Sequence, residues 1–323
     1  MQITLQNTEK GQCYAVRFDR YRQQVVDKLK TAVSVRWWDK STGAWMIPAN
    51  NKCKAELDQL TYYVRHFEPV NWGGNESKTD EDIAYQIPDM PELDEDHGLK
   101  IQPYPYQLQG IARGLQLKRF INGDDMGLGK TLESIATINK ADAFPCLVIC
   151  PNTVKINWQR EWHKFTDKKA MVLTDSVRTS WPFFWQTGMN HVFIVNYESL
   201  RKYFVRRINK SEKWTLKDVE FHNTIKLFKS VIIDESHKVK SPATQQSKFC
   251  KGITAGKEWI ILLTGTPVVN KPNDLICQLA IMDRMNDLGG WKYFTNRYCS
   301  GPHGASNLKE LNFMLWKHCF FRR

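Results

Sequence analysis

The feature that most constrains the fold is a series of short apolar runs rich in β-branched residues. They read CLVIC at 146–150, VFIV at 192–195, VII at 231–233 and IILL at 260–263, with longer segments of helical or loop character between them. Short buried strands that alternate with helices are typical of a parallel sheet covered on both faces. From about residue 100 onward we therefore predict an α/β fold with a central, mostly parallel sheet.

The first part of the chain has a different pattern. Strand-like stretches occur at 3–5 and 14–18, helical spacing at 21–29 and 52–67, and a strand-turn-strand pattern at 33–48. Residues 1–68 are therefore predicted to form a small α+β domain. Glycines, prolines and many acidic residues follow at 69–99, and this composition predicts an acidic linker.

The bulk properties narrow the class of protein. A net charge of +12 is compatible with a polyanionic partner such as nucleic acid, although lysine-rich surfaces also serve solubility. No apolar run is long enough to span a membrane, and the N-terminus lacks the core of a signal peptide. Eight cysteines without a CxxC pair predict reduced thiols rather than a zinc site. We expect a reducing intracellular compartment: the cytoplasm of a bacterium or phage-infected host, or a eukaryotic nucleus.

The stretch GDDMGLGKT at 123–131 lies between a strand-like run and a helix-like run. A phosphate-binding loop has a glycine, four residues and then Gly-Lys-Ser/Thr, and here Asp124 stands in the place of the first glycine. Gly127 and Gly129 would let backbone amides approach phosphate oxygens. Lys130 would reach the β- and γ-phosphates, and the Thr131 hydroxyl would ligate Mg²⁺. Taken alone, the stretch also fits a tight turn with a surface lysine.

Three further stretches favour a nucleotide site. Asp234 and Glu235 end the run VIIDE, where one carboxylate can hold Mg²⁺ and its neighbour can accept a proton from an attacking water. LLTGTP at 262–267 places small residues where a backbone must pass close to phosphates. Gln107, within PYPYQLQGI, would read an adenine edge with an amide that both donates and accepts. Phosphate sites of such sheets lie at the carboxyl ends of the strands.

Together these motifs resemble those of Swi/Snf-type motors in helicase superfamily two. In that family an acidic pair commonly replaces the leading glycine, as Asp124-Asp125 does here. DESH at 234–237 resembles the DExH box, with Ser236 where alanine is commoner, and LTGTP resembles the third motif. CPNTVKINWQREW at 150–162 and VNYESL at 195–200 resemble motifs Ia and Ib, and 298–323 resembles the end of the first motor lobe.

The resemblance extends to one branch of the family. DESH, the SNLKEL stretch and the hairpin-like RWWDKSTGAWMIP are similar to the annealing-helicase branch, whose motor follows a small HARP-type domain. The three tryptophans in that hairpin also fit simple packing of a small core. The resemblance implies a first RecA-like lobe at 100–323 that binds ATP and Mg²⁺ and moves along double-stranded or forked DNA as a monomer.

Roles for individual residues follow from the same resemblance. The implied catalytic residues are Lys130, Asp234 and Glu235, with Thr131 and Asp234 at Mg²⁺. The implied nucleotide contacts are Gln107, Asp125, Met126, Gly127, Leu128, Gly129, Lys130 and Thr131. Coupling between ATP and DNA is implied for His237, Thr264, Gly265 and Thr266, although His237 also fits a structural role. The implied DNA contacts are Thr153, Lys155, Asn157, Tyr197, Arg201 and Lys202.

Two expectations concern the rest of the motor. The basic segment 201–229 fits either a DNA-binding extension or a solvated face. The family's second lobe would begin after Arg323, so we expect an ATP-binding half that binds ATP weakly and hydrolyses it hardly at all, because an arginine finger is worth about 10³–10⁵ in rate. Two other functions stay open: a strand-separating or restriction-type helicase subunit, and a non-enzymatic DNA-binding module regulated by nucleotide.

Overall fold

The computed structural model describes residues 1–8, 11–18, 23–64, 70–73, 85–93, 97–210, 212–265, 271–300 and 304–323, with the backbone alone at 71–73. Contacts between residues divide the chain into two compact units, Met1–Ala84 and Tyr85–Arg323. Among the described helices, none combines the length and the apolar character that crossing a membrane requires.

In its described residues, the first unit contains a five-stranded sheet and two helices. Its strands are β1 (Gln2–Thr8), β2 (Gly11–Arg17), β3 (Trp37–Asp39), β4 (Ala44–Pro48) and β5 (Asn71–Gly73), in the order β3-β4-β2-β1-β5. The β1–β5 pairing is parallel and the other pairings are antiparallel. Helices α1 (Gln23–Ala32) and α2 (Asn51–Val64) bring Leu29, Leu57 and Leu60 into a core with Ile3 and Val16 of the sheet.

The predicted strand-turn-strand pattern forms the β3–β4 hairpin. Asp39 closes the turn, because its carboxylate accepts hydrogen bonds from the Ser41 backbone N–H (2.9 Å) and from the Ser41 and Thr42 hydroxyls (2.7 and 2.8 Å). The Trp38 and Trp45 rings meet edge to face with centroids 5.4 Å apart, and Trp38 remains 48% exposed. Core packing therefore does not explain all three tryptophans of this hairpin, because Trp38 remains half-exposed.

The boundary between the two units lies inside the segment predicted as a linker, 69–99. At its start β5 extends the first sheet, and from Tyr85 onward the chain belongs to the second unit. Met90 and Leu93 pack against the second unit's core. Both ends of the segment thus belong to folded units, and several of the acidic residues on which the linker prediction rested lie outside the described residues.

The second unit is built on a seven-stranded sheet whose described pairings are all parallel. Its strands and those of a separate antiparallel pair are β6 (Arg119–Asn122), β7 (Cys146–Cys150), β8 (Ala170–Val172), β9 (Val192–Asn196), β10 (Val205–Ile208), β11 (Val219–Phe221), β12 (Ser230–Asp234), β13 (Trp259–Leu263) and β14 (Phe320–Phe321). The large sheet has the order β14-β6-β13-β12-β7-β9-β8, and β10 pairs with β11. The predicted α/β fold with a parallel sheet is confirmed.

Helices cover both faces of this sheet. They are α3 (Pro105–Leu117), α4 (Lys130–Lys140), α5 (Lys155–Phe165), α6 (Trp181–Gln186), α7 (Leu200–Phe204), α8 (Gln245–Thr254), α9 (Leu275–Ile281), α10 (Gly290–Tyr298) and α11 (Leu308–His318). On β12, Val231 and Ile233 belong to one core cluster and Ile232 to the other. The apolar runs in the sequence are continuous because both faces of each strand are buried.

The strand order determines where the predicted motifs meet. Strand β13 lies between β6 and β12, and Leu263 is in register with Asn122 on one side and Asp234 on the other. The three strands therefore end at the same level. The loops that follow them, which begin at Gly123, Glu235 and Thr264, leave the sheet side by side.

Candidate functional site

A cavity of about 830 Å³ opens at this edge of the sheet. The residues predicted for catalysis, nucleotide binding or coupling that line it are Gln107, Asp125, Met126, Gly127, Gly129, Lys130, Thr131, Asp234, Glu235, His237, Thr264 and Gly265. Its size is in the range of about 300–1,000 Å³ that small-molecule and cofactor sites occupy. Thr266 was also predicted, but it lies outside the described residues. The loops after β6, β12 and β13 thus form one site.

The phosphate-loop segment has the backbone that its glycines predict. Gly127 and Gly129 have φ values of +88° and +89°, in the left-handed region that favours glycine. A Cβ atom at Gly129 would also collide with the Gln107 side-chain nitrogen. Gly129 directly precedes α4, so the first amides of that helix face the cavity end of the loop, where an anion is stabilised.

Lys130 is held by the loop itself. Its Nζ donates hydrogen bonds to the backbone oxygens of Asp124 at 2.7 Å and of Asp125 at 3.1 Å. The ammonium group lines the same cavity as Asp234, and its charge partly opposes the rise that burial causes in the pKa of that carboxyl. The lysine and the second acidic pair, which the sequence analysis placed at one edge of the sheet, are therefore within electrostatic reach of each other.

Asp234 is held by three hydrogen bonds. Its Oδ2 accepts from Trp158 Nε1 at 2.9 Å, its Oδ1 accepts from the Glu235 backbone N–H at 2.9 Å, and its backbone oxygen accepts from the Tyr197 hydroxyl at 2.5 Å. Burial raises the pKa of Asp234, against the lowering effect of the Trp158 hydrogen bond. Each carboxylate oxygen has lone pairs left, so the group can still bind a cation.

The residue after Asp234 turns sharply. Glu235 has φ +52° and ψ +50°, a left-handed conformation that is uncommon for a residue with a side chain and that clusters at functional sites. Its Oε2 lies 3.2 Å from His237 Nδ1, and that nitrogen lies 3.4 Å from the Thr264 hydroxyl. Glu235, His237 and Thr264 therefore form a polar chain between the loops after β12 and β13.

Ser236, which stands where alanine is commoner in the family, is fully buried. Its hydroxyl donates to Gln278 Oε1 at 2.8 Å, and Gln278 is also fully buried on α9. A buried hydroxyl needs a partner, and Gln278 provides it. The substitution is thus accommodated without disturbing the acidic residues beside it.

Gln107 uses its amide for backbone contacts in this structure. Its Oε1 accepts from the Tyr104 backbone N–H at 3.0 Å, and its Nε2 donates to the Leu128 backbone oxygen at 3.0 Å. The side chain thus caps α3 and joins that helix to the phosphate loop. Leu128 contributes this backbone carbonyl to the site, which accepts the hydrogen bond from Gln107. A contact between Gln107 and adenine stays a prediction.

Helix α5 forms a wall of the cavity that sequence reasoning missed. Val154, directly before the helix, and Trp158, Glu161 and Phe165 within it are spaced three or four residues apart and all line the cavity. Burial raises the pKa of Glu161, whose Oε1 accepts from Asn157 Nδ2 at 3.0 Å. The signal was present in the sequence, because this spacing puts side chains on one face of a helix. It was overlooked because the segment was assigned to DNA.

The predicted DNA-contacting residues separate into two groups. Tyr197 is 3% exposed with its hydroxyl bonded to Asp234, which contradicts a direct contact between this side chain and DNA. Asn157 lines the nucleotide-sized cavity, and half-buried Lys155 donates to Asn196 Oδ1 at 3.3 Å. Thr153, Arg201 and Lys202 are exposed, and Lys202 also forms a 2.6 Å ion pair with Asp175. The latter three remain available to a partner.

The basic segment 201–229 contains the β10–β11 pair. Arg206 and Arg207 each form an ion pair with Glu220, at 2.9 and 3.1 Å, and Lys210 forms one with Asp218 at 3.2 Å. These exposed pairs are weak. Several basic side chains of this segment are therefore partly neutralised in the free protein, and both interpretations of the segment stay open.

The second unit has a parallel sheet, a Gly-Lys-Thr loop after one strand, an acidic pair after a nearby strand and a cavity between them. These features define a nucleotide-binding lobe of the RecA-like P-loop class. The sequence comparison then specifies the family. The model of the SNF2-related domain matches residues 39–320, and the chain belongs to this family.

Relatives of known name and structure agree with this assignment. One relative is 30% identical, over 68% of this chain and 31% of its own length. It is the Caenorhabditis elegans homolog of SWI/SNF-related matrix-associated actin-dependent regulator of chromatin subfamily A-like protein 1. Human DNA annealing helicase and endonuclease ZRANB3 is 27% identical, over 67% and 20%. The Sulfolobus solfataricus SWI2/SNF2 ATPase core in complex with dsDNA superposes with a TM-score of 0.55 and 27% identity, over 72% of this chain and 47% of that one.

These relatives confirm the resemblance to Swi/Snf-type motors and to annealing helicases, and the structural match confirms the RecA-like lobe. The chain spans about a third or less of the length of the two curated relatives. A Drosophila melanogaster relative that is 24% identical aligns with 96% of this chain, so this similarity includes the first unit.

Proposed function

We propose that this chain is the ATP-binding part of a motor that uses ATP and Mg²⁺ to move along or anneal double-stranded or forked DNA. The observation that carries the proposal is the single cavity that unites Lys130 and Thr131 with Asp234 and Glu235, about a hundred positions away. Membership of a family of helicase-type ATPases and the named annealing helicases support the choice of nucleotide and polymer.

In this proposal the phosphate loop binds the triphosphate. Lys130 would exchange its two backbone acceptors for phosphate oxygens, and the amides after Gly127 would surround them. The Thr131 hydroxyl and the Asp234 carboxylate fit Mg²⁺, because both are hard oxygen ligands that line the cavity. When bound, Mg²⁺ neutralises charge on the phosphates. Asp125, Met126 and Gly129 complete the lining of the loop.

Glu235 is the proposed base. Its carboxylate lines the cavity beside Asp234, and its half-exposed position lets it accept a proton from a water molecule. His237 would orient Glu235 and, through Thr264 and Gly265, couple the site to movements of the loop after β13. Thr266 belongs to the same proposal on sequence grounds. Gln107 would leave one of its backbone partners to contact adenine.

We also propose that hydrolysis by this chain is slow. The described lining of the cavity contains one cation, Lys130, and no arginine. Arginine fingers contribute about 10³–10⁵ to the rate of phosphoryl transfer. Weak binding with hardly any turnover is therefore the expected behaviour, and a brisk DNA-stimulated rate would show that the described residues suffice.

The proposed DNA surface consists of the exposed Thr153, Arg201 and Lys202 and the half-buried Lys155. The exposed positions of the first three and the net charge of +12 support this assignment. The first unit is proposed to be a HARP-like module, since its hairpin carries exposed Trp38 and a relative aligns through it. We place the protein, as a monomer, in a compartment that contains DNA and keeps its eight free cysteines reduced.

Nucleotide binding tests the proposal most directly. Lys130→Ala should weaken binding of a fluorescent ATP analogue in the presence of Mg²⁺ by at least about tenfold, because a charge-assisted contact to phosphate is lost. Lys140→Ala, at the other end of α4, is the matched control and should bind as the parent does. Equal binding by the parent and Lys130→Ala would contradict the proposed nucleotide-binding function.

A further inference from the structure

A buried group of charged side chains lies beneath the phosphate loop, outside the cavity. Asp124 is fully buried and Glu133 is 2% exposed, and the Arg323 guanidinium lies between the two carboxylates. Arg323 donates to Asp124 through Nε and the backbone N–H, and also through a terminal nitrogen. The same terminal nitrogen, Nη2, also donates to Glu133 Oε1 at 2.6 Å. Such groups are costly to bury unless each is fully paired.

Arg323 joins three segments that line the nucleotide cavity. Besides the phosphate loop at Asp124 and the first turn of α4 at Glu133, its guanidinium donates to the Tyr106 backbone oxygen in the first turn of α3. That turn also carries Gln107. Arg323 itself does not line the cavity. Its contacts therefore act on the walls of the site and not on a ligand.

The neighbouring arginine makes an equivalent contact. Arg322 forms an ion pair of 2.8 Å with Asp125, so two consecutive arginines bind two consecutive acids. The backbone is paired as well, because Gly123 N–H donates to the Phe321 oxygen at 2.9 Å, continuing the β6–β14 ladder. The arginine pair is thus attached to the phosphate loop by both side chains and main chain.

Glycines provide the space for this arrangement. A Cβ atom at Gly110 on α3 would collide with the Glu133 carboxylate and lie 2.7 Å from Arg323, and one at Gly123 would lie 2.6 Å from the Phe320 ring. Neither position has a positive φ, so close approach is the reason for glycine at both. A methyl group at either position would force these side chains to shift.

The acids held by the arginines are also the residues that hold the lysine. The backbone oxygens of Asp124 and Asp125 are the two acceptors of Lys130 Nζ. We propose that Arg323, assisted by Arg322, positions the phosphate loop and its lysine for nucleotide binding. This role accounts for an aspartate in the place of the loop's first glycine: its carboxylate is buried outside the cavity and binds the arginine. The inference rests on the proposed function.

Nucleotide affinity of folded variants tests the role. Arg323→Gln should raise the dissociation constant of a fluorescent ATP analogue with Mg²⁺ by about tenfold, since a buried charge-assisted network is lost. Arg323→Lys keeps the charge and should recover part of the affinity. Arg206→Gln, an exposed arginine of β10, is the matched control. Each variant is measured at a temperature at which circular dichroism shows it to be folded.

Arg322→Gln covers the case in which Arg323 variants do not fold, because the Arg322–Asp125 pair is half-exposed. It should weaken binding by about threefold with little loss of stability. A merely structural role would lower the melting temperature and leave the affinity of the folded variants unchanged, and that result would overturn the inference. If the parent chain itself binds no nucleotide while remaining folded, the proposed function fails instead.

Discussion

Two acidic pairs follow neighbouring regions of the same sheet and have opposite environments. Asp124-Asp125 comes after β6, and arginines bind both of its carboxylates. Asp234-Glu235 comes after β12, and among the described residues no arginine or lysine forms an ion pair with either. Asp234 receives N–H donors from Trp158 and from the backbone instead.

In the proposed function this difference gives Asp124 a structural role and Asp234 a chemical one. Arginine neutralises Asp124 inside the protein, so that carboxylate has no charge to offer a ligand. Uncharged donors fix the orientation of Asp234 and leave its charge available to a cation in the cavity. In the sequence both pairs are acids at the end of a strand, and the nature of their donors distinguishes them.

The largest expected effect comes from making the same substitution in each pair. Asp124→Asn should destabilise the chain by about 3–5 kcal/mol, because it removes one partner of a buried ion pair. Asp234→Asn should change stability by less than about 1 kcal/mol, since burial already disfavours its ionised form. Urea denaturation followed by circular dichroism measures both.

For nucleotide binding the order of the two effects should be reversed, with the larger effect at Asp234. Asp234→Asn is expected to remove the Mg²⁺ dependence of nucleotide binding while the fold persists. Equal losses of stability from the two substitutions would show that the pairs do not differ as their contacts indicate.

The dependence of stability on pH should come from Glu133, which shares Arg323 with Asp124 of the first pair. Burial raises the pKa of Glu133 to about 8, against the lowering effect of Arg323 and with the charge of Asp124 adding to the rise. A carboxyl whose pKa is higher in the folded chain than in the unfolded one stabilises the fold while it is protonated. Stability should therefore fall as pH rises toward about 8, by up to about 1.4 kcal/mol per pH unit.

Glu133→Gln keeps the shape of the side chain and removes its titration. Denaturation midpoints of this variant should vary less between about pH 6 and 8 than those of the parent. Identical pH profiles for the two chains would mean that Glu133 ionises normally in the fold.

Much of this architecture was predictable because it depends on local patterns. The apolar runs at 146–150 and 231–233 predicted strands, since both faces of each strand are buried. The Gly-Lys-Thr sequence and the acids after Ile233 predicted a shared site, because parallel strands end at one edge. Residues brought into the site by their own strand or loop were therefore found from the sequence.

Contacts between distant segments were not predictable in the same way. Arg323 lies 199 positions from Asp124, and nothing local in either segment indicates that the two side chains meet. Tyr197 and Asn157 were assigned to DNA from motif position, but the direction of each side chain depends on packing against β12 and α5. A motif locates a segment, whereas the tertiary structure decides which of its side chains face a ligand.

The smallest expected effect tests how the second pair is oriented. Trp158→Phe keeps most of the packing of a 2% exposed ring and removes the N–H that binds Asp234 Oδ2. Loss of this bond should weaken the Mg²⁺-dependent part of nucleotide binding by roughly fivefold, about 1 kcal/mol. Titration of the nucleotide complex with Mg²⁺ measures this change.

Trp162→Phe, one turn further along α5, is a close control. Trp162 is fully buried and its Nε1 has no hydrogen-bond partner in the described structure, so the same substitution removes packing but no bond. An unpaired buried N–H costs stability, and its removal should not weaken the fold by more than the lost ring contacts do. If Trp162→Phe lowers Mg²⁺ affinity as much as Trp158→Phe does, the effect comes from the packing of α5 and the indole bond does not orient Asp234.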